Sequence, residues 1–232
     1  MLVLAKAPVP GRVKTRLCPP CTPHQAARVA AAALADTLDT VTAASAGDRV
    51  LVVDGHYPPV PRWRALAQRG GPLAHRLVNA FTDTRAAGTA TLLVGMDTPQ
   101  LTRDHLDDAL RRLNSPGGPD AVLGLADDGG WWALGLREPA HATVLADIAT
   151  STASTGAETL AALRRRGLRV AMLPRLRDVD TAADAHAVAA ACPPGRRFAR
   201  TVAVDVPEVT QHPRLSQSGE LVGHHDQGGR TR

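Results

Sequence analysis

The sequence predicts an α/β protein whose sheet is mostly parallel, with helices on both faces. Three observations lead there. Apolar runs of four to six residues alternate with longer stretches of helical pattern up to about residue 191. At 232 residues the chain can bury one full core. The chemically interesting residues follow directly on the apolar runs, and such sheets bind ligands at the C-terminal ends of their strands.

The elements follow in order. Leu2 to Ala5 is a short apolar run and predicts the first strand. Ala7 to Cys21 holds four prolines and a glycine and reads as a loop. Thr22-Pro23-His24-Gln25 has the signature of a helix start, with a capping Thr, Pro at the first helical position and Gln closing a capping box. That helix should reach about Ala44. Strands are expected at 50–53, 91–94, 121–125, 132–136 and 168–173. Helices are expected at 72–87, 103–113, 140–148, 156–166 and 181–191. The chain from Pro193 shows little periodicity beyond Thr201–Val206. The expected division is therefore one domain over 1–192 and a disordered tail over 193–232.

Composition excludes several classes. The net charge is +5, but it is scattered and aromatics make up 3% of residues. A nucleic-acid surface would show a basic stripe with stacking aromatics, so no nucleic-acid partner is expected. No apolar stretch is long enough for a membrane span, and MLVLA is too short for a secretion signal, so a cytoplasmic location is expected. Three cysteines are an odd number for a disulfide framework. Cys18 and Cys21 have C-x-x-C spacing but lack the further ligands of a zinc site, and they read as incidental thiols.

The loop after the first strand is unusual. Lys6 and Lys14 are the only lysines in the chain, and with Arg12 and Arg16 they place four cations in eleven residues with no acid between. Arg presents a planar fork to phosphate oxygens and Lys a compact point charge, so the loop suits a di- or triphosphate. A solvated basic loop is the plainer alternative. Asp97, in Gly95-Met96-Asp97-Thr98-Pro99, ends a predicted strand and suits a hard divalent ion shared with phosphate oxygens. It could instead cap the next helix, although Thr102 already offers a cap. Asp178 and Asp180 follow the last strand, where Asp180 or Thr181 could cap the closing helix. Asp128-Gly129-Gly130 lies between two apolar runs. Its glycines allow close backbone approach to a ligand, and Asp128 could bind a sugar hydroxyl or act as a base; a plain hairpin turn also fits.

Together these segments resemble a known family. AKAPVPGRVKTRL, QRGGPLAHRL, VGMDTPQL, VLGLADDGGWWALGL and LRDVDTAADA look like the landmarks of bacterial GT-A-like glycosyltransferases labelled after arsenosugar biosynthesis, in the nucleotide-diphospho-sugar transferase superfamily. K-T-R-L is also similar to the loop of 2-phospho-L-lactate guanylyltransferases. The resemblance runs from residue 2 to about 191. It implies a GT-A-like Rossmannoid sandwich, a nucleotide held by the first loop, and Asp97 as the superfamily's metal carboxylate. Similarity to a D-T-P-E-D-L stretch of related nucleotidyltransferases implies a second metal carboxylate at Asp180, although Ala182 and Ala183 replace its Pro and Glu. Arg76 matches the Arg of a D-L-G-E-R stretch and could reach phosphate or acceptor, but the family's acid there is missing. Trp131 stands where the family has Tyr, and Ser151-Thr152-Ala153 departs from its Trp-Ser-Thr-Pro.

The expectation is an Mg²⁺- or Mn²⁺-dependent glycosyltransferase moving a sugar from an NDP-sugar to a small-molecule acceptor. Lys6, Arg12, Lys14 and Arg16 would hold the phosphates and Asp97 and Asp180 the metal. Asp97 and Asp128 would act in catalysis, and Gly129, Gly130 and Arg76 would meet the substrate. A nucleotidyltransferase joining an NTP to a phosphorylated or phosphonate acceptor is the alternative. The departures from the family pattern also admit an inactive nucleotide-binding module. The oligomeric state is left open.

Overall fold

The structure, a computed structural model, describes residues 1–208. Seven strands form one sheet: β1 (Leu2–Lys6), β2 (Val50–Asp54), β3 (Arg64–Ala67), β4 (Thr91–Gly95), β5 (Ala121–Leu125), β6 (Trp131–Leu136) and β7 (Val170–Met172). Their spatial order is 3-2-1-4-6-5-7. β6 runs antiparallel to both β4 and β5, and the other pairings are parallel. The helices are α1 (Pro23–Ala43), α2 (Leu73–Thr84), α3 (Arg103–Asn114), α4 (Thr155–Arg165), α5 (Ala182–Ala191) and α6 (Arg197–Asp205), with 3-10 turns at Thr15–Leu17 and Pro139–Asp147. The α/β architecture expected from the sequence is the one observed.

Side chains alternate across the strands and feed two cores. Val3, Leu51 and Val94 pack on one face with Leu34 and Val41 of α1 and Leu106 and Leu113 of α3. Leu2, Val50 and Leu93 pack on the other with Leu77 and Phe81 of α2 and Leu163 of α4. Burial on both faces explains why the central strands read as unbroken apolar runs. The capping box at Thr22–Gln25 is formed as expected. Such a cap is worth about 1 kcal/mol.

Three expectations need correction or refinement. β3 was not foreseen, because Arg64-Ala65-Leu66-Ala67 is a short edge strand exposed over most of its length and offers no apolar run. The helical stretch expected at 140–148 is of the 3-10 type, over Pro139–Asp147. The domain does not end at 192. Helix α6 covers Arg197–Asp205 and buries Phe198, Val202 and Val206 against α1 and α5. Its first N–H groups have no partner within the helix, and buried Asp36 of α1 accepts from the backbone N–H of Arg197 and Phe198, the latter at 2.8 Å. Arg28 grips Asp205 at the far end through two hydrogen bonds of 2.9 and 2.6 Å. The expected tail beyond residue 208 lies outside the described residues. Among the described residues no helix is long and apolar enough to cross a membrane.

Candidate active site

A cleft of ≈ 660 Å³ runs along the C-terminal edge of the parallel strands. Lys6 closes β1 and is exposed to it. Lys14 and Arg16 enter from the loop that follows. The backbone at Lys14 is left-handed, with φ 50° and ψ 40°, a conformation that costs about 1–2 kcal/mol for a residue with a Cβ. The turn directs the Lys14 side chain inward, where it is 8% exposed and 2.5 Å from the Asp97 carboxylate. The same ammonium donates to the carbonyl of Val179. Arg16 Nη1 lies 2.8 Å from Asp180 Oδ2. The backbone N–H of Val179 donates to the Asp97 carbonyl at 2.9 Å, so the segment between β7 and α5 is joined directly to the chain just past β4.

Helix capping does not account for these carboxylates. Thr102 caps α3, with His105 completing the box, and Thr181 caps α5 with Asp184. Asp97 and Asp180 face the cleft instead. Asp128, Asp178 and Asp180 each bring a carboxylate oxygen within 4.8 Å of the others. Burial, then the neighbouring charge of Asp128 and to a lesser degree that of Asp180, push the Asp178 carboxyl up to about 6, against the pull of its own backbone N–H and of Lys14. Three carboxylates this close repel one another unless a cation sits among them. No histidine or cysteine lines the cleft among the described residues. An all-oxygen set of this kind fits Mg²⁺ or Mn²⁺ rather than a metal that prefers thiolate or imidazole.

The Asp128-Gly129-Gly130 segment does form the β5–β6 hairpin turn, and it also builds one wall of the site. Asp128 Oδ1 accepts from the Gly130 N–H at 2.7 Å. Gly129 has φ +91°, and a Cβ there would stand 2.0 Å from the Ala153 carbonyl oxygen. Gly156 N donates to the Gly129 carbonyl at 2.8 Å. The turn is therefore docked on the start of α4, and it brings Thr150, Ser151 and Thr152 to the cleft beside Trp131. Apart from Asp128, this half of the cleft is uncharged, whereas the half at the ends of β1 and β4 and the segment between β7 and α5 carries the cations and the other carboxylates.

The remaining expected residues are placed less centrally. Arg76 lines the cleft, but its guanidinium is held by Asp54 at 3.0 Å and by the Gly71 carbonyl at 2.9 Å. Arg12 is exposed and does not line the cleft, and Gly129 contributes its backbone behind the wall. Cys18, Cys21 and Cys192 are free thiols away from it. Sequence reasoning gave no site role to Asp54 or Gln68. Asp54 is an acid closing a parallel strand, a position that could have been flagged. Gln68, whose amide donates to the Ala5 carbonyl at 2.8 Å, follows the edge strand that went unseen. A second hollow of ≈ 540 Å³ between α1 and residues 56–61 is lined largely by Ala, Val and Pro and holds no comparable charged cluster.

Comparison with known proteins agrees with this architecture. A proposed nucleotide-diphospho-sugar transferase from Desulfovibrio desulfuricans G20 superposes with a TM-score of 0.70 at 28% identity, covering 81% of this chain and 85% of its own. The Rv0371c protein of Mycobacterium tuberculosis H37Rv in complex with manganese gives 0.50 at 19% identity, over 81% and 96% of the two chains. CMP:2-keto-3-deoxy-manno-octonic acid synthetase complexed with CTP gives 0.50 at 11% identity, over 79% and 93%. The last two show a shared fold. No curated protein matches the sequence. One family model spans residues 28–152, from α1 to the hydroxyl-rich segment before α4, which is more than half of the chain. The chain belongs to that family, described as an uncharacterized protein conserved in bacteria (DUF2064).

Proposed function

We propose that the protein is a divalent-metal-dependent transferase that uses a nucleotide-activated donor, and that this donor is an NDP-sugar whose glycosyl group passes to a small-molecule acceptor. One observation carries the proposal: Lys6, Lys14 and Arg16 meet Asp97, Asp128, Asp178 and Asp180 in a single cleft at the C-terminal edge of the sheet. Cations suited to a diphosphate thus face carboxylates suited to a hard metal ion. The similarity to the D. desulfuricans protein supports the same class.

Asp180, with Asp178 and Asp97, would hold Mg²⁺ or Mn²⁺. When bound, the metal supplies charge neutralisation for the departing nucleoside diphosphate. Lys6 and Arg16 would hold the phosphates. The uncharged wall of Trp131, Thr150, Ser151 and Thr152 suits the hydroxyls and ring face of a sugar. Asp128, the exposed member of the acidic trio, would take the proton of the acceptor hydroxyl. The acceptor oxygen bonds to the anomeric carbon, the carbon–oxygen bond to the diphosphate breaks, and the nucleoside diphosphate leaves. Most of the rate gain would come from positioning and preorganised charge.

Nucleotidyl transfer is the second reading. It is favoured by the fold shared with a CTP-complexed synthetase and by an opening loop whose cations also suit a triphosphate. One experiment separates the two. Incubation with a panel of NDP-sugars and of NTPs plus phospho-acids, each with Mn²⁺, should release nucleoside diphosphate from an NDP-sugar. Pyrophosphate released from an NTP would instead establish nucleotidyl transfer. Metal-dependent nucleotide binding without turnover in either panel would mark a binding module.

A further inference from the structure

We infer that the ligand-free cleft is masked against metal ions, and that metal and nucleotide are taken up together as one chelate. The observation is a pairing of opposites. Lys14, a phosphate-directed cation, stands 2.5 Å from Asp97, and Arg16 stands 2.8 Å from Asp180. Two of the three carboxylates assigned to the metal, Asp97 and Asp180, are thus occupied by groups that would serve the phosphates. This inference rests on the proposed transferase function and adds a binding order to it.

The electrostatics follow from the pairs. A divalent ion arriving alone meets two of its carboxylates already paired and must approach two cations. A nucleotide arriving alone must draw Lys14 and Arg16 away from their partners, which leaves its phosphates facing bare carboxylates. The chelate resolves both conflicts in one exchange, because phosphate takes the cations while metal takes the carboxylates. The two pairs differ in how easily they part. Arg16 is 70% exposed, so its pair is weak and screened. The Lys14 side chain is 8% exposed and also bound to the Val179 carbonyl, so it yields only when another acceptor replaces Asp97. Arg16 would therefore move first. By linkage, nucleotide and metal strengthen each other's binding by the same factor.

Because nucleotides chelate metal in free solution, the deciding measurement is metal without nucleotide. Free Mn²⁺ is titrated against wild type, Arg16→Gln and Lys14→Met, with bound ion counted by the loss of the aqueous Mn²⁺ EPR signal. Arg69→Gln, which removes a cation paired with Asp83 outside the cleft, is the control. Arg16→Gln should bind Mn²⁺ about two- to fivefold more tightly than wild type, the gain expected from releasing an exposed pair, and Arg69→Gln should not change. Arg16 is exposed, so its substitution leaves the fold intact even if Lys14→Met does not fold. The inference is overturned if Arg16→Gln binds Mn²⁺ no more tightly than wild type while wild type still binds Mn²⁺ with a nucleotide. If a thermal-shift panel of nucleotides and NDP-sugars with Mn²⁺ leaves the wild type unshifted, the transferase function itself fails, and the masking inference with it.

Discussion

The Lys14 ammonium lies 2.5 Å from the Asp97 carboxylate and donates to the Val179 carbonyl, so one side chain ties the loop after β1 to the end of β4 and to the segment between β7 and α5. Three segments far apart in sequence are held at one point, with the Val179–Asp97 backbone bond beside it. Under the proposed function Asp97 would have two roles. It anchors the loop through Lys14, and it would pass to the metal when phosphate takes over Lys14.

Replacing Asp97 by Asn should separate these roles. The amide oxygen can still accept from Lys14, so the loop stays tethered, but the negative charge for the metal is gone. We expect Asp97→Asn to keep most of its thermal stability and to lower kcat/KM on the order of 10²–10³-fold, the range for removing one preorganised charge from an active site. Sugar-nucleotide turnover measured beside a melting curve checks this. A variant with unchanged turnover would remove Asp97 from the reaction.

Gly129 offers a test of the turn against α4. Its φ of +91° and the 2.0 Å approach to Ala153 leave no space for a Cβ. Gly129→Ala should cost about 1–3 kcal/mol, a fall in Tm of about 2–12 °C for a chain of this size. It should also raise KM for the NDP-sugar, because the displaced segment carries Thr150 to Thr152 of the wall suited to its sugar. Gly167→Ala is the comparison. It also has a positive φ but nothing within 4 Å, and should cost only the backbone strain with KM unchanged.

What could be read beforehand follows physical lines. Central strands buried on both faces left continuous apolar runs, and the caps at Thr22, Thr102 and Thr181 were local enough to see. The strand-end positions of Lys6, Asp97, Asp128 and Asp180 followed from that pattern. Pairing was not visible, because the contacts of Lys14 with Asp97 and of Arg16 with Asp180 join residues far apart in the chain. For the same reason nothing local showed that Asp178 joins Asp128 and Asp180. The edge strand β3 and helix α6 were missed because their stability comes from partners rather than from their own pattern. β3 borrows the ladder of β2, and α6 borrows Asp36 and Arg28 of α1.

Asp178 makes stability depend on pH in a defined direction. Its folded carboxyl is raised to about 6, above the ordinary value of 3.8. Between these values the folded protein holds a proton that the unfolded chain releases, so stability should fall as pH rises from about 4 to about 6 and then level off. Asp178→Asn removes both the burial penalty on the charge and the repulsion from Asp128. In metal-free buffer with a chelator the variant should melt above wild type at pH 8 and together with it at pH 4. A wild-type-like Tm at pH 8 would show that the trio is not repulsive without metal. The same variant should bind Mn²⁺ more weakly, so stability and metal binding should change in opposite directions.

Helix α6 gives the last test, because it decides where the domain ends. Phe198 is fully buried between α1 and α5, and its backbone N–H is held by Asp36. Truncating a buried Phe removes its transfer free energy and leaves a cavity, together about 3–5 kcal/mol. That is a large part of the 5–15 kcal/mol typical of a whole domain. Phe198→Ala should therefore move the urea midpoint markedly to lower concentration without changing the slope of the transition. A chain cut after residue 192 should do worse. It exposes the apolar face of α1 that includes Val29 and Ala33, and it strands the nearly buried Asp36 without its partners on α6. We expect that truncated chain to lose its cooperative transition. If it instead melts like the full chain, residues 193–206 would be an addition to a domain already complete at 192, as the sequence pattern alone suggests.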